Sequence, residues 1–207
     1  MPATPDATQP KPVSRWQQER DSELADARRF IEELTSIQTH DRGRMAALRR
    51  CAGDPLPGRG TTWFYSLIPN ERRRHREVYF LVATLFDFNR AKGSSGNFGD
   101  ALLRLARAMN KTPSEFRRFH ILIDAEFDTV FDSDDASPWS EGGGELGYRL
   151  RQTVRLMASH KVGIDWVELL VDLCHWSHRN RRIQKKWSRA FFGAPPSPGP
   201  SDESPDA

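Results

Sequence analysis

Three side chains near the C-terminus, Cys174, His175 and His178, have the chemistry of metal ligands, and Cys174 and His178 lie one helical turn apart. A structural zinc site takes four ligands, as a rule drawn from two paired clusters. The sequence has no second cluster, and Cys174 falls in an apolar stretch, so no metal or other cofactor is expected. A second chemistry, metal-assisted phosphate hydrolysis, is suggested by His40-Asp41 and by the acidic run at 124–145, which holds eight carboxylates and no base. Such a site needs acids and histidines converging on a pocket from several elements. Most of these acids sit instead in one Gly- and Ser-bearing loop. Neither a Gly-rich phosphate loop ending in Lys-Ser or Lys-Thr nor a Gly-x-Ser-x-Gly turn is present, and no catalytic residue is expected.

The basic residues carry more. Arg42, Arg44, Arg49 and Arg50 fall on or beside one short segment, and Arg117 and Arg118 open another. Arg151 and Arg155 are one turn apart, which predicts that they project from a common face, with Lys161 following. Arg179, Arg181, Arg182, Lys185, Lys186 and Arg189 crowd the last segment, where no carboxylate occurs between Asp172 and Asp202. Arginine's planar fork suits bidentate phosphate contacts better than lysine's point charge. Four such clusters predict a groove for a polyanion, although each alone also fits a solvated helix face. Trp166, Trp176 and Trp187 are interleaved with them at core-like spacing and are expected to pack inward rather than to stack on bases.

The elements that must position these side chains all read as helix. Leu24, Ile31 and Leu34 recur at helical spacing, and Asp41 is a candidate N-cap for a helix to about Arg50. PLPGRG breaks it, and the aromatic WFYSLIP follows. Asn70 is expected to cap a helix bearing Val78, Leu81, Val82 and Leu85 at i, i+3, i+4 and i+7. AKGSSGN ends that helix and DALLRLARAM begins another. Thr112-Pro113-Ser114-Glu115 has the form of a capping box with proline at N1, opening a helix with Phe116, Phe119, Ile123, Phe127 and Val130 along one side. Helices through Leu146 to Met157, from Asp165 through Leu173, and through Ile183, Trp187 and Phe191 complete the chain. The prediction is an all-α bundle of about eight to nine helices in two subdomains, 22–131 and 146–192. A disordered extension (1–21), the acidic Gly-rich loop (132–145) and a disordered proline-rich tail (193–207) surround them.

Composition agrees. The chain has 207 residues, 37% of them hydrophobic, with 12 Phe and 6 Trp, enough for a packed core. No apolar run approaches the roughly 20 residues of a membrane span. MPATPDATQPKP has neither a charged leader nor an apolar stretch, and Cys51 and Cys174 suggest no disulfide framework, so a cytoplasmic protein is expected. The net charge of +3 is modest; the separation of acidic from basic stretches points more strongly to a polyanion-binding face. Two other readings stay open: a helix-turn-helix regulator around 110–130, and an assembly scaffold whose basic face meets acidic partners.

The order of motifs resembles the CasB family, the small subunit of the type I-E CRISPR interference complex, Cascade. DRGRMAALRR (41–50) is similar to that family's Asp-x-Gly-x-x-Ala-x-x-Arg-Arg helix, and FYSLIP (64–69) to its aromatic segment ending in proline. FGDAL (98–102), EFRRFHILI (115–123), LRQTVRLM (150–157), VGIDWVELLVDLCHW (162–176) and KKWSRAFF (185–192) follow in order. Each motif is short; seven in sequence are far more specific. The N-terminal extension, the acidic insert and the proline tail depart from the pattern without touching the motifs.

The resemblance implies a non-catalytic, all-helical subunit, present with a second copy of itself along the inner side of an RNA-guided complex. Its implied partners are the backbone and large subunits, the crRNA and the target DNA, including the displaced single strand of the R-loop; no membrane is implied. Carried over by position, the nucleic-acid-binding residues are Arg49, Arg50, Arg117, Arg118 and Arg155. Arg44 and Arg151 are added on helical facing. Lys161, Arg181, Arg182 and Lys185 form a secondary group that either a neighbouring subunit or nucleic acid would meet.

Overall fold

Each apolar helical period becomes a helix in the computed structural model, which describes residues 15–54, 57–58, 60–91, 93, 95–127 and 144–193. There are α1 (Arg15–His40), α2 (Arg42–Arg50), α3 (Arg76–Phe86), α4 (Phe98–Ala108), α5 (Arg117–Asp124), α6 (Gly144–Ser159), α7 (Trp166–Cys174) and α8 (Arg182–Phe192). Short 3-10 segments cover Thr62–Leu67, Asn70–His75 and Pro113–Glu115. No strand occurs among the described residues, so the fold is all-α as the periodicities predict. α1 begins at Arg15, inside the 1–21 stretch expected to lack structure. The acidic loop 132–145, apart from its last two residues, and the tail beyond Gly193 lie outside the described residues.

The centre is α3. Val78 through Phe86 are all buried, nine consecutive residues, whereas the spacing rule marks only one stripe. A helix apolar all round must be covered all round. α7 and α2 pack on it, α1 packs along α7 and α2, and α4 runs along α8. One core therefore extends through helices from before and after the acidic loop. Phe30 meets Tyr79 edge-on at 4.8 Å, Phe64 meets Phe80 at 5.1 Å, and Phe119 stacks on Phe191 at 4.0 Å.

The three tryptophans turn inward, as expected. Trp187 is fully buried and donates its indole N–H to Asp172 at 2.6 Å; buried Trp176 donates to the Ala125 carbonyl at 3.0 Å. α4 and α8 approach so closely that a Cβ on Gly99 would lie inside contact distance of the Trp187 carbonyl oxygen and 2.7 Å from its Cα.

Helix starts differ from the sequence reading in instructive ways. Asn70 does not cap a long helix; it opens the 3-10 turn Asn70–His75, and the α-helix starts at Arg76. α4 starts at Phe98, two residues before DALLRLARAM, because Asn97 and Asp100 form a capping box: the Asn97 side chain accepts from Gly99 N–H at 2.8 Å and Asp100 from Asn97 N–H at 2.9 Å. Glu115 does reach back to the Thr112 N–H at 3.1 Å, but the element so started is only the 3-10 turn Pro113–Glu115. The chain breaks at Phe116 (φ −85°, ψ 71°) before α5, which ends at Asp124, short of Phe127. Val130 lies outside the described residues.

Candidate nucleic-acid interface

The first basic group is built on α2. Asp41 caps it, accepting the Arg44 backbone N–H at 2.9 Å. Met45 and Leu48 bury one side, and Arg42 and Arg49 project beside them into a cleft of about 580 Å³. The floor of that cleft holds Asp87, at the C-cap of α3, whose side chain is 4% exposed. Its carboxylate accepts from Arg49 Nη1 at 3.4 Å, from Arg90 Nε at 2.8 Å and from Gln38 Nε2 at 3.0 Å. Such a buried acid fixes two guanidinium groups whose outer sides stay in water, with Arg49 51% and Arg90 65% exposed.

Arg44 is not brought to this cleft. At ~100° per residue it lies about 200° around α2 from Arg42, on the far side of the buried pair. There it ion-pairs with Asp41 at 3.4 Å and covers the Trp63 ring at 4.9 Å. Arg50 is exposed and makes no ion pair among the described residues.

The residue after Asp87 joins this group to α6: the Arg155 guanidinium covers the Phe88 ring, its Cζ 4.5 Å from the centroid. One turn before Arg155, Gln152 reaches a second cleft, of about 460 Å³, whose other wall is α5 with Arg117 and Arg118. Both of these arginines are exposed and make no ion pair among the described residues. Arg42, Arg49 and Arg90 thus line one cleft and Arg117 and Arg118 another, while Arg155, over Phe88, stands on α6, the helix that supplies Gln152 to the second.

Arg151 does not belong to this face. It is 5% exposed, packed on the side of α6 that carries Leu150 and Val154. One turn on, only about 40° further around, Arg155 clears the core. The expected common face is cut by the edge of the bundle.

The last helix is also not short of counter-charge, because other helices supply it. Lys186 pairs with Glu168 and, at 2.7 Å, with Asp172 of α7; burial pushes the Asp172 carboxyl up, against the pull of Lys186 and the Trp187 N–H. Arg181, in left-handed backbone at φ 48°, donates to the Ile123 carbonyl at 2.8 Å and pairs with Asp124 at 3.0 Å. Arg182 lies 3.3 Å from His175 Nδ1. Lys185 is exposed, as is Lys161 just beyond α6, also left-handed at φ 57°. None of these lines either arginine cleft.

Two arginines of the clefts escaped the sequence reading. Arg90 sits three residues from Asp87, and Arg149 four from Glu145, which it meets at 3.0 Å. Acid-to-arginine spacings of three or four were the available signal. The densest run, RRRHR (72–76), escaped it too; its Arg72 is structural, held by Asp26 at 2.9 Å and Glu23 at 3.3 Å.

The sequence profile of CRISPR-associated protein Cse2 matches residues 44–192, from α2 through the end of α8. The chain belongs to the Cse2 family. It is 31% identical over 124 residues to the CRISPR-associated protein Cse2 of Thermus thermophilus, an alignment covering 59% of this chain and 60% of that protein's length. The structure of CasB from M. ruber superposes with a TM-score of 0.62 at 28% identity, covering 82% of this chain and 94% of that one. The structure of a Cse2-family protein from T. thermophilus gives 0.61 at 27%, covering 81% and 98%. A chain of a CRISPR RNA-guided surveillance complex shares the fold, with a TM-score of 0.63 at 20% identity over 83% of this chain and 94% of that one. In Cse2 terms, α1 and Arg42 lie outside the profile match, and every other arginine of the two clefts lies within it. Among the described residues, no helix is long and apolar enough to cross a membrane.

Proposed function

We propose that this Cse2-family chain is a non-catalytic subunit of a type I-E CRISPR RNA-guided surveillance complex, and that it holds nucleic acid by its backbone to stabilise the R-loop. The observation that carries this reading is the set of guanidinium groups on α2, the Asp87–Arg90 segment, α6 and α5. R-loop formation exchanges one duplex for another of similar stability, so neutralising phosphates on the displaced strand tips the balance without reading bases. In this reading the chain works beside the backbone and large subunits and a second copy of itself, on crRNA and target DNA.

The test is a salt titration of single-stranded DNA binding. The logarithm of affinity against the logarithm of salt has a slope of about −0.7 per phosphate neutralised. Arg155→Ala and Arg50→Ala should each weaken binding on every sequence alike and make the slope shallower by roughly that amount. A changed sequence preference would instead favour a helix-turn-helix reader, and unaltered binding a pure scaffold.

A further inference from the structure

Arg42, Arg49 and Arg90 line one cleft, where like charges repel one another. Two of them are held by its floor. Asp87, 4% exposed, accepts Arg90 Nε and Nη2 on one oxygen, at 2.8 and 2.5 Å, and Arg49 Nη1 on the other, at 3.4 Å. Gln38 Nε2 donates to the same carboxylate at 3.0 Å, so α1 fixes the acid that fixes the arginines. A guanidinium has five N–H donors. Most of those on Arg49 and Arg90 are left for a group from outside, and both heads are half-exposed or more. Arg42 stands two turns before Arg49 on the same face of α2, exposed and without an ion pair among the described residues.

Resting on the reading above that this cleft holds phosphates, we propose that Asp87 is a positioning residue for nucleic-acid binding: it holds Arg49 and Arg90 ready for the strand's phosphates, beside Arg42. An arginine loose in water gives up rotamer freedom when it meets a phosphate, at a cost of roughly two- to tenfold in affinity for each side chain so ordered. Arg49 and Arg90 have been ordered by the fold beforehand. Their head groups lie between the carboxylate and the incoming strand, which blunts the repulsion of acid and phosphate. The two effects of Asp87 are opposite in sign. Net charge alone makes the acid a hindrance to binding DNA, whereas positioning makes it a requirement.

The experiment titrates the full chain with oligodeoxythymidylate at fixed salt. The variants are Asp87→Asn, Gln38→Ala, Arg49→Ala and Arg117→Ala, with each arginine variant also combined with Asp87→Asn. Asp87→Asn removes a negative charge, yet binding should weaken roughly threefold or more. Beside Asp87→Asn, Arg49→Ala should have much less than its full effect, whereas Arg117→Ala, in the other cleft, should have the same effect in both backgrounds. A general loss of structure would treat the two arginines alike. Gln38→Ala alters no charge and should weaken binding roughly twofold. Where Asp87→Asn folds poorly, Gln38→Ala decides alone, and unaltered binding there overturns the proposal. If Asp87→Asn binds as tightly as the wild type or tighter, or Arg49→Ala keeps its full effect beside it, the positioning role is wrong and the phosphate reading survives. If neither Arg49→Ala nor Arg117→Ala weakens binding, both go.

Discussion

Arg151 and Arg155 show how finely a single turn of helix divides roles. Both sit on α6, yet Arg155 is exposed over Phe88 while Arg151 is only 5% exposed beside the core. Arg151 therefore acts through its aliphatic stem and its buried head group, as long cationic side chains do at a bundle's edge. Replacing it with alanine should destabilise the protein by about 1–3 kcal/mol, the usual cost of disrupting a buried polar contact, as read by urea unfolding. The salt slope of DNA binding should stay put. A variant with wild-type stability and a shallower slope would return Arg151 to the phosphate-binding face. Spacing alone could not separate the pair, because a helical wheel gives direction and not the distance to the neighbouring helix. Asp87 is the converse case. Its spacing marks Arg90 as one partner, but only its burial and its ion pairs in the fold show that it orients Arg49 as well.

Among the elements, α8 and its seat on α4 are the most exacting. The stripe Ile183, Trp187 and Phe191 was plain from spacing, and all three are buried. What the spacing could not give was the supply of carboxylates from elsewhere: Glu168 and Asp172 reach Lys186 from α7, and Asp124 reaches Arg181 from the end of α5. Contacts across more than ten residues leave no periodic trace. Gly99 carries the same lesson. In sequence it reads as a poor helix residue, and only the packing shows that nothing larger fits against the Trp187 backbone. Gly99→Ala gains helix propensity of about 1 kcal/mol, yet overpacking of this kind costs about 1–3 kcal/mol and more where backbone must move. The net expectation is a lower thermal midpoint, with near-UV dichroism from the tryptophans reduced. An unchanged or raised midpoint would mean that α8 shifts aside without loss.

For the molecule as a whole, the fold class and the seven ordered motifs were readable, because apolar period and family likeness both survive averaging over many residues. The relation between the two sides of the acidic loop was not, since α1 on α7 and α4 on α8 are pairings of distant segments. The same assembly sets an acid sensitivity. His75 is half-buried where the 3-10 turn Asn70–His75 meets α3, and its Nε2 accepts from Arg74 Nε at 2.9 Å. Burial first, then the charges of Arg74, His175 and Arg72, push its pKa down to about 4, with only Glu23 pulling the other way. An unfolded histidine titrates near 6.5. Between these values the unfolded chain holds the extra proton, so the contribution of neutral His75 is complete above about pH 6.5 and is lost as the pH falls toward 4. The urea midpoint of the wild type should therefore drop further between pH 7 and pH 5 than that of His75→Gln. Parallel curves for the two would show that the site is indifferent to protonation.

The pairing of α4 with α8 also fixes an order of events during synthesis. The apolar side of α4, with Phe98, Leu102 and Leu105, leaves the ribosome long before α8 exists to run along it. At roughly 5–20 residues per second, the 88 positions from Gly99 to Trp187 take about 4–18 s to translate. For that interval the nascent chain displays a wet, sticky surface, and holdase chaperones have time to find it.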